Sequence, residues 1–317
     1  MDTEMRSAAM PRWRGDAGRL EVWYATLSDP ATGAGLWVHY ETVAPTVGAA
    51  YGHGWVSWFP TDVRRRLSAS VPNRSRPVPG PDLAAGRRLR VGPAELCGRA
   101  GSLGWDLRWK DTGRPLWTFP RVAWAAPAAG PGARWCWPPP RSSPGSITLG
   151  DTVHQLDGWR GGVAHIYGRG NAKRWGWIHA DLGDSDVLEV VTAVSHTPGL
   201  RRLPPMAFIR FRIDGADWPT GVLPSLRMRT TLGLRHWQLE GRIGRRDTLI
   251  RVDMPAERCV SLQYTDPDGA TAVCTNTERA DVYVELGERR WSVLGTGHAE
   301  VGLRGSAAPV VREGISS

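Results

Sequence analysis

The sequence predicts an all-β protein of two consecutive antiparallel domains, each a barrel or a sandwich. Three observations carry this. Short runs rich in β-branched and aromatic residues recur along the chain, separated by Gly, Pro, Asn and Asp turn signals. No stretch repeats its apolar residues with the period of an amphipathic helix. A chain of 317 residues exceeds one small domain but suits two, each with its own core.

Residues 1–18 lack pattern and are expected to be flexible. The first domain spans 19–145. Arg19 to Leu27 and Leu36 to Val43 read as strands joined by the turn-forming Ser28-Asp-Pro-Ala-Thr-Gly-Ala-Gly35. Gly54 to Phe59 is a third strand, closed by Pro60. Leu103 to Trp109, Trp117 to Trp124 and Ala133 to Trp137 follow, with a proline-rich loop over 72–86 before them. Pro138-Pro-Pro-Arg-Ser-Ser-Pro-Gly145 interrupts any ladder, because proline has no N–H to donate, and sets the boundary. In the second domain, 146–304, strands are expected at 146–149, 152–157, 163–167, 174–182, 187–194, 206–213, 222–229, 236–243, 248–254, 259–265, 271–277, 281–286 and 290–294. Residues 305–317 form a small, polar, flexible tail.

Tryptophan is the compositional anomaly, with 17 Trp against 4 Phe and 6 Tyr. Indoles suit a pocket for a bulky apolar ligand, and they also fill the interfaces between sheets. The net charge is +9, and of the basic residues only Lys110 and Lys173 are lysines. The arginines are scattered in short runs without a nucleic-acid motif, so nucleic-acid binding is not expected; attraction to an anionic membrane surface fits better. Cys97, Cys136, Cys259 and Cys274 lie far apart, with neither zinc spacing nor a disulfide framework. No signal-peptide core or membrane-length apolar run is present, so a soluble cytoplasmic protein is expected, with membrane association at most peripheral.

Chemistry-bearing side chains concentrate in Gly161 to Leu182. Val163 to Tyr167 and Arg174 to Leu182 alternate as strands around the loop Gly168 to Lys173. In the second strand Trp175, Trp177, His179 and Asp181 share one face, while Gly176, Ile178, Ala180 and Leu182 form the other. The aliphatic face suits a core; the other suits a cavity wall. If the two strands pair across the loop, His165 and His179 come close together. His165 and His179 can move protons near neutral pH, and Asp181 is a candidate acid or a carboxylate of the Asp181-Leu-Gly-Asp184 turn. Two His and one carboxylate could also hold a metal, but no metal site is assigned. Tyr167, Arg169 and Asn171 are candidate ligand contacts, as are His39, Trp55 and Trp58 in the first domain. Each of these also has a purely structural reading. Asp106 and Arg108 share a face and suit an internal ion pair. The glycines of this stretch open no helix, which excludes a dinucleotide site.

The segments Glu21-Val-Trp-Tyr24, Gly35-Leu-Trp-Val-His39, Trp105-Asp-Leu-Arg108 and Arg174-Trp-Gly-Trp177 with its Asp181-Leu-Gly-Asp184 turn occur in an order that resembles the superfamily of carotenoid 1,2-hydratases and tocopherol cyclases. The resemblance implies two lipocalin-like antiparallel β-barrels with a hydrophobic cavity at or near their junction. It further implies cofactor-free protonation of an isoprenoid alkene followed by water addition or ring closure, or, as in some relatives, pericyclic ring formation in polyketide-like products. The hydratases place an aspartic acid in a Tyr-x-Asp step before the Trp-x-Trp strand; this chain has His165-Ile-Tyr167 there.

Two functions follow. One is a hydratase or cyclase acting on a lipophilic substrate, with His165, His179 and Asp181 as acid/base groups and tryptophans as cavity wall, where cation–π attraction tolerates a carbocation. The other is a non-catalytic carrier with the same cavity, which the absent aspartate favours. A carbohydrate-binding surface fits less well, because the tryptophans alternate with apolar neighbours.

Overall fold

The computed structural model describes residues 10–62, 67–71, 89–92, 95–109, 116–119, 132–136, 145–221, 225 and 227–305. The expected loop at 72–86, most of the expected strand at 117–124, the proline run and the tail beyond 305 lie outside these residues. No α-helix occurs among the described residues, and every strand pairing is antiparallel. The all-β expectation is met.

The strands form three sheets. The first contains β1 (Arg19–Ser28), β2 (Gly35–Ala44), β3 (Tyr51–Phe59), β4 (Leu67–Val71), β8 (Leu116–Trp117), β9 (Gly132–Cys136) and β12 (Arg160–Gly168), in the order β4-β3-β2-β1-β12-β9-β8. The second orders β11 (Thr152–Gln155), β10 (Gly145–Leu149), β7 (Leu103–Arg108), β6 (Glu95–Ala100) and β5 (Leu89–Gly92) side by side. The third runs from β16 (Ala216–Trp218) through β15 (Met206–Ile213), β14 (Asp186–Val194), β13 (Arg174–Gly183), β22 (Arg289–Arg304), β21 (Thr271–Leu286), β19 (Arg246–Asp253) and β18 (His236–Ile243) to β17 (Arg229–Leu232). Strand β20 (Val260–Thr265) branches from β21. No ladder among the described residues joins the two ends of any sheet.

Alternation along β1 sorts the layers. Trp23, Ala25 and Leu27 face the second sheet and pack with Leu96, Leu103, Leu107 and Ile147. Val22 and Tyr24 point the other way and pack with Trp175, Trp177, Val191 and Cys274 of the third sheet. The third sheet folds over on itself, so that Ile178, Ala180 and Val190 meet Trp237, Leu239 and Val252 in a third core. Each large apolar side chain buried in this way contributes about 1.5–3 kcal/mol relative to exposure. The first sheet is therefore buried on both faces, which explains why β2 contains no exposed residue.

The structure revises the expected strand pairing and some strand limits. The strands around the Gly168 to Lys173 loop do not pair with each other: β12 pairs with β1 and β9, and β13 with β14 and β22. The chain changes sheets in that loop, after the proline run: residues 145–168 still pair with the first-half strands. Of the expected strand at 222–229, residues 222–224 and 226 lie outside the described residues, and Arg229 opens β17. The separate strands expected at 271–277 and 281–286 are one strand, and the one expected at 290–294 continues to Arg304. Register shifts around Ala280 let this long hairpin bend without ending.

Candidate active site at the junction of the first and third sheets

The face of the third sheet turned toward the first carries polar side chains in apolar surroundings. His179 on β13 has Glu189 of β14 as one cross-strand partner and His298 of β22 as the other. Trp177 similarly lies beside Glu300. From β21, Glu278 reaches the first sheet because Gly35 faces it there; a Cβ at Gly35 would overlap the Glu278 side chain. The sheets approach closely at this point for want of one side chain.

The buried groups pair as follows. Glu189 binds His179 Nδ1 through Oε1, and its Oε2 accepts from Trp177 Nε1 at 3.1 Å. His298 Nδ1 lies 2.6 Å from Glu278 Oε1, and the other oxygen of Glu278 accepts from the Thr26 hydroxyl. Trp175 Nε1 donates to Glu300 at 2.9 Å. Tyr24 of β1 inserts among these groups, its ring edge-on to Trp177 at 5.3 Å. Burial, then the neighbouring carboxyl groups of Glu300, Glu189 and Glu278, push its hydroxyl well above the usual tyrosine range.

The two imidazole–carboxyl pairs differ in charge. Burial, followed by the neighbouring His298, holds His179 well below the ordinary histidine range, and burial raises Glu189 well above the ordinary carboxyl range despite the Trp177 hydrogen bond. Both shifts favour the neutral forms of this pair. Because Glu189 Oε2 accepts from Trp177, its proton sits on Oε1 and is donated to His179 Nδ1, which leaves the imidazole proton on Nε2. For His298 burial opposes the charge, but the Glu278 carboxylate outweighs it and raises the pKa. Glu278 is itself raised by burial, only partly offset by His298. An imidazolium next to a carboxylate results.

A cavity of about 290 Å³ opens at this junction. His179 and His298 lie on its third-sheet side, with Trp291 and Leu294, and Thr26 and Arg160 line it from the first sheet. Nε2 of His298 is buried and makes no hydrogen bond among the described residues. Asp181 sits at the same cavity, held by Arg160 Nη1 at 3.0 Å and by the backbone N–H of Gly183.

The residues singled out in the sequence are thus dispersed. His179 and Asp181 line the cavity. His165 points to the opposite side of the first sheet, stacked on Trp23 and 2.8 Å from Glu21. Tyr167 packs with Trp13 and Ala44. Trp175 and Trp177 are buried between the sheets and are not among the residues that line the cavity; their N–H groups are taken by glutamates. Arg169 is exposed, and Asn171 binds Asp266. Trp58 stacks on Trp159 inside the first half, away from the junction. Trp55 and His39 lie at the junction, around a second polar cluster. There Glu41 bridges His53 at 3.0 Å and His39 at 3.3 Å, and although burial opposes it these histidines lower the Glu41 pKa to about 2. Asp106 and Arg108 do pair, at 2.8 Å, but on the surface. Among the described residues no group of His, Cys, Asp and Glu is arranged to hold a metal ion.

Sequence reasoning missed Glu189, Glu278 and His298. One signal was present: Glu189 is the only charged residue in Val187-Leu-Glu-Val-Val-Thr-Ala-Val194, a run too apolar for a solvated carboxylate. His298 lies in the extension of β22 past Gly295 and Gly297, which read as the end of a strand.

Fold and site together define a lipocalin-like all-β protein with histidines and carboxylates gathered at a cavity where its first and third sheets meet. The chain belongs to the tocopherol cyclase-like family, whose pattern matches residues 89–303. It is 68% identical to the uncharacterized protein Rv0493c of Mycobacterium tuberculosis (strain ATCC 25618 / H37Rv), over 99% of this chain and 95% of that protein. Its fold is similar to that of kievitone hydratase from Nectria haematococca, with a TM-score of 0.55 and 11% identity over 94% of this chain and 91% of that one. It is also similar to CghA in complex with Sch210972, with a TM-score of 0.52 and 16% identity over 91% and 89% of the respective chains. No helix of the described residues is long and apolar enough to cross a membrane.

Proposed function

We propose that the protein is a cofactor-free hydratase or cyclase that protonates a carbon–carbon double bond of a lipophilic, isoprenoid or polyketide-like substrate in the junction cavity. The observation that carries this is His298: a buried imidazole held charged by Glu278, with Nε2 unoccupied by any described protein group, facing a cavity. His298 Nε2–H gives its proton to the alkene carbon, and the resulting cation is captured by water or by a hydroxyl of the substrate. The lone pair left on Nε2 then takes the proton released by that oxygen, so the acid is restored and no other reagent is consumed. Neutral His179 offers its Nε2–H to hold an oxygen of the substrate or the attacking water, and Trp291 supplies an aromatic face for the cation. An imidazolium is a mild acid, so the alkene is one whose cation is conjugated with an oxygen or an aromatic ring.

Incubating the protein with such alkenes in deuterated water tests the reading. Deuterium is expected in the product with the wild type and is expected to be absent with His298→Gln. Ligands that bind but never acquire deuterium or a new C–O bond would identify a carrier instead.

A further inference from the structure

A second cavity, about 510 Å³ and more open, adjoins the first; Pro30, Leu294 and Thr296 line both. Its distinctive residues are two arginines and one aspartate: Arg258, Arg279 and Asp281. Asp281 Oδ1 is engaged by the Gly295 N–H at 2.7 Å and Arg258 Nη1 at 3.3 Å. Arg279 is only 9% exposed, and its Nη1 donates to the backbone oxygens of Pro60 and Thr61 at 2.7 and 3.1 Å. These carbonyls fix the guanidinium without neutralising it. Among the described residues Arg279 forms no ion pair, and its Nε has no hydrogen-bond partner. Burial, then the charge of Arg258, pulls the Arg279 pKa below the ordinary arginine range, and Asp281 offsets only part of this.

Two positive charges beside one carboxylate that is already engaged leave an unmatched cation, fixed in place and facing a cavity. A buried charge of this kind is costly unless something pairs with it. Guanidinium groups bind carboxylate and phosphate oxygens through directed N–H donors, which a solvent-exposed lysine would not do as specifically.

We infer that Arg258 and Arg279 form an anion-binding subsite that holds a carboxylate or phosphate head group, while the apolar body of the same ligand passes Pro30, Leu294 and Thr296 into the cavity of His179 and His298. The ligand is then an amphiphilic acid, not a neutral hydrocarbon. This deepens the functional reading above and rests on it for where the body of the ligand lies. The head-group claim is tested by binding alone.

The test titrates the full chain with geranic acid, geranyl monophosphate, methyl geranate and geraniol, followed by calorimetry. These probes share one apolar body and differ in the head group. One of the anions is expected to bind at least about tenfold tighter than both neutral probes, with the preference reduced at high salt. Arg258→Gln is expected to weaken only that anion by about tenfold, with the neutral probes unchanged. Since Arg279 also holds a loop, Arg279→Gln serves as a second variant, scored only after its unfolding curve shows a folded protein. Carboxylate binding identifies a free acid as ligand class, and phosphate binding a phosphorylated one. Equal affinity for charged and neutral probes, an equal loss for both on Arg258→Gln, or no binding of either anion would overturn the subsite. Anion binding through Arg258 together with no deuterium uptake by alkenes whose cations are conjugated with an oxygen or an aromatic ring would leave the subsite standing and remove the alkene-protonation reading.

Discussion

His179 and His298 are cross-strand partners on β13 and β22, and their surroundings push their pKa values in opposite directions, His179 down and His298 up. Each has a glutamate on Nδ1. Two imidazoliums side by side in a buried site would repel each other, so only one is charged. Glu278 is supported by the Thr26 hydroxyl, which favours its carboxylate and thereby the His298 cation. Glu189 is more strongly disfavoured as an anion, and His179 with it.

This asymmetry is measurable by side-chain NMR of the eight histidines. His298 should titrate above the ordinary histidine value of about 6.5, and His179 should remain neutral well below it. The linkage signs are then opposite. The raised His298 adds stability that is full below about pH 6.5 and is lost as pH rises through its folded value. The lowered His179 contributes stability present above about pH 6.5 and lost as pH falls. Finding both imidazoles charged, or both neutral, near pH 7 would remove the proposed division of roles.

The glutamates should respond differently to amide substitution. Glu278→Gln strands the His298 cation, so its cost is expected to be about 3–5 kcal/mol near pH 6, falling to about 1–2 kcal/mol once the pH has risen through the raised His298 pKa and the imidazole is neutral. Glu189→Gln replaces a neutral acid by a neutral amide, and the expected cost is about 1 kcal/mol between about pH 6 and 7. Urea unfolding at each pH provides the comparison. Equal costs for the two variants near pH 6 would contradict the charge assignment.

The fold was readable in the sequence because period-two alternation survives in most strands. The two faces of β13 were legible for the same reason: Ile178 and Ala180 go to the core of the third sheet, and Trp175, Trp177 and His179 to the junction. Pairing partners were not legible. Alternation states which way a side chain points, but not which strand lies alongside, so β12 and β13 looked like a hairpin although they belong to different sheets. His165 was misplaced for this reason. The His298 side of the site depends on a hairpin of two 16-residue strands held through bulges at glycine and alanine, where local signals favour a strand end.

The dispersal of the candidate residues gives an activity prediction. His298→Gln should lower deuterium incorporation by about a hundredfold or more, the scale of a lost general acid. His165→Gln, changed on the far side of the first sheet beside Glu21, should lower stability by about 1–3 kcal/mol while the folded fraction keeps its rate. Asp181→Asn loses an ion pair with Arg160 at the cavity mouth and should alter substrate affinity more than turnover. Rates normalised to folded protein check all three. A His165 effect on turnover as large as that of His298 would mean that the junction cavity is not where the chemistry occurs.

Gly302 offers a test of the junction packing itself. It is the cross-strand partner of Trp175, whose indole lies across the space a side chain would fill; a Cβ there would overlap the ring. That placement brings Trp175 Nε1 to Glu300. Gly302→Ala should displace the indole and cost about 1–3 kcal/mol, as overpacking in a close-packed core does. Combining it with Trp175→Leu, which vacates the space, should give a loss smaller than the sum of the two single losses by about 1 kcal/mol or more, because the residues compete for one volume. Denaturant unfolding of the two single variants and the double variant supplies the cycle, and strict additivity would show that the indole does not occupy the space over Gly302.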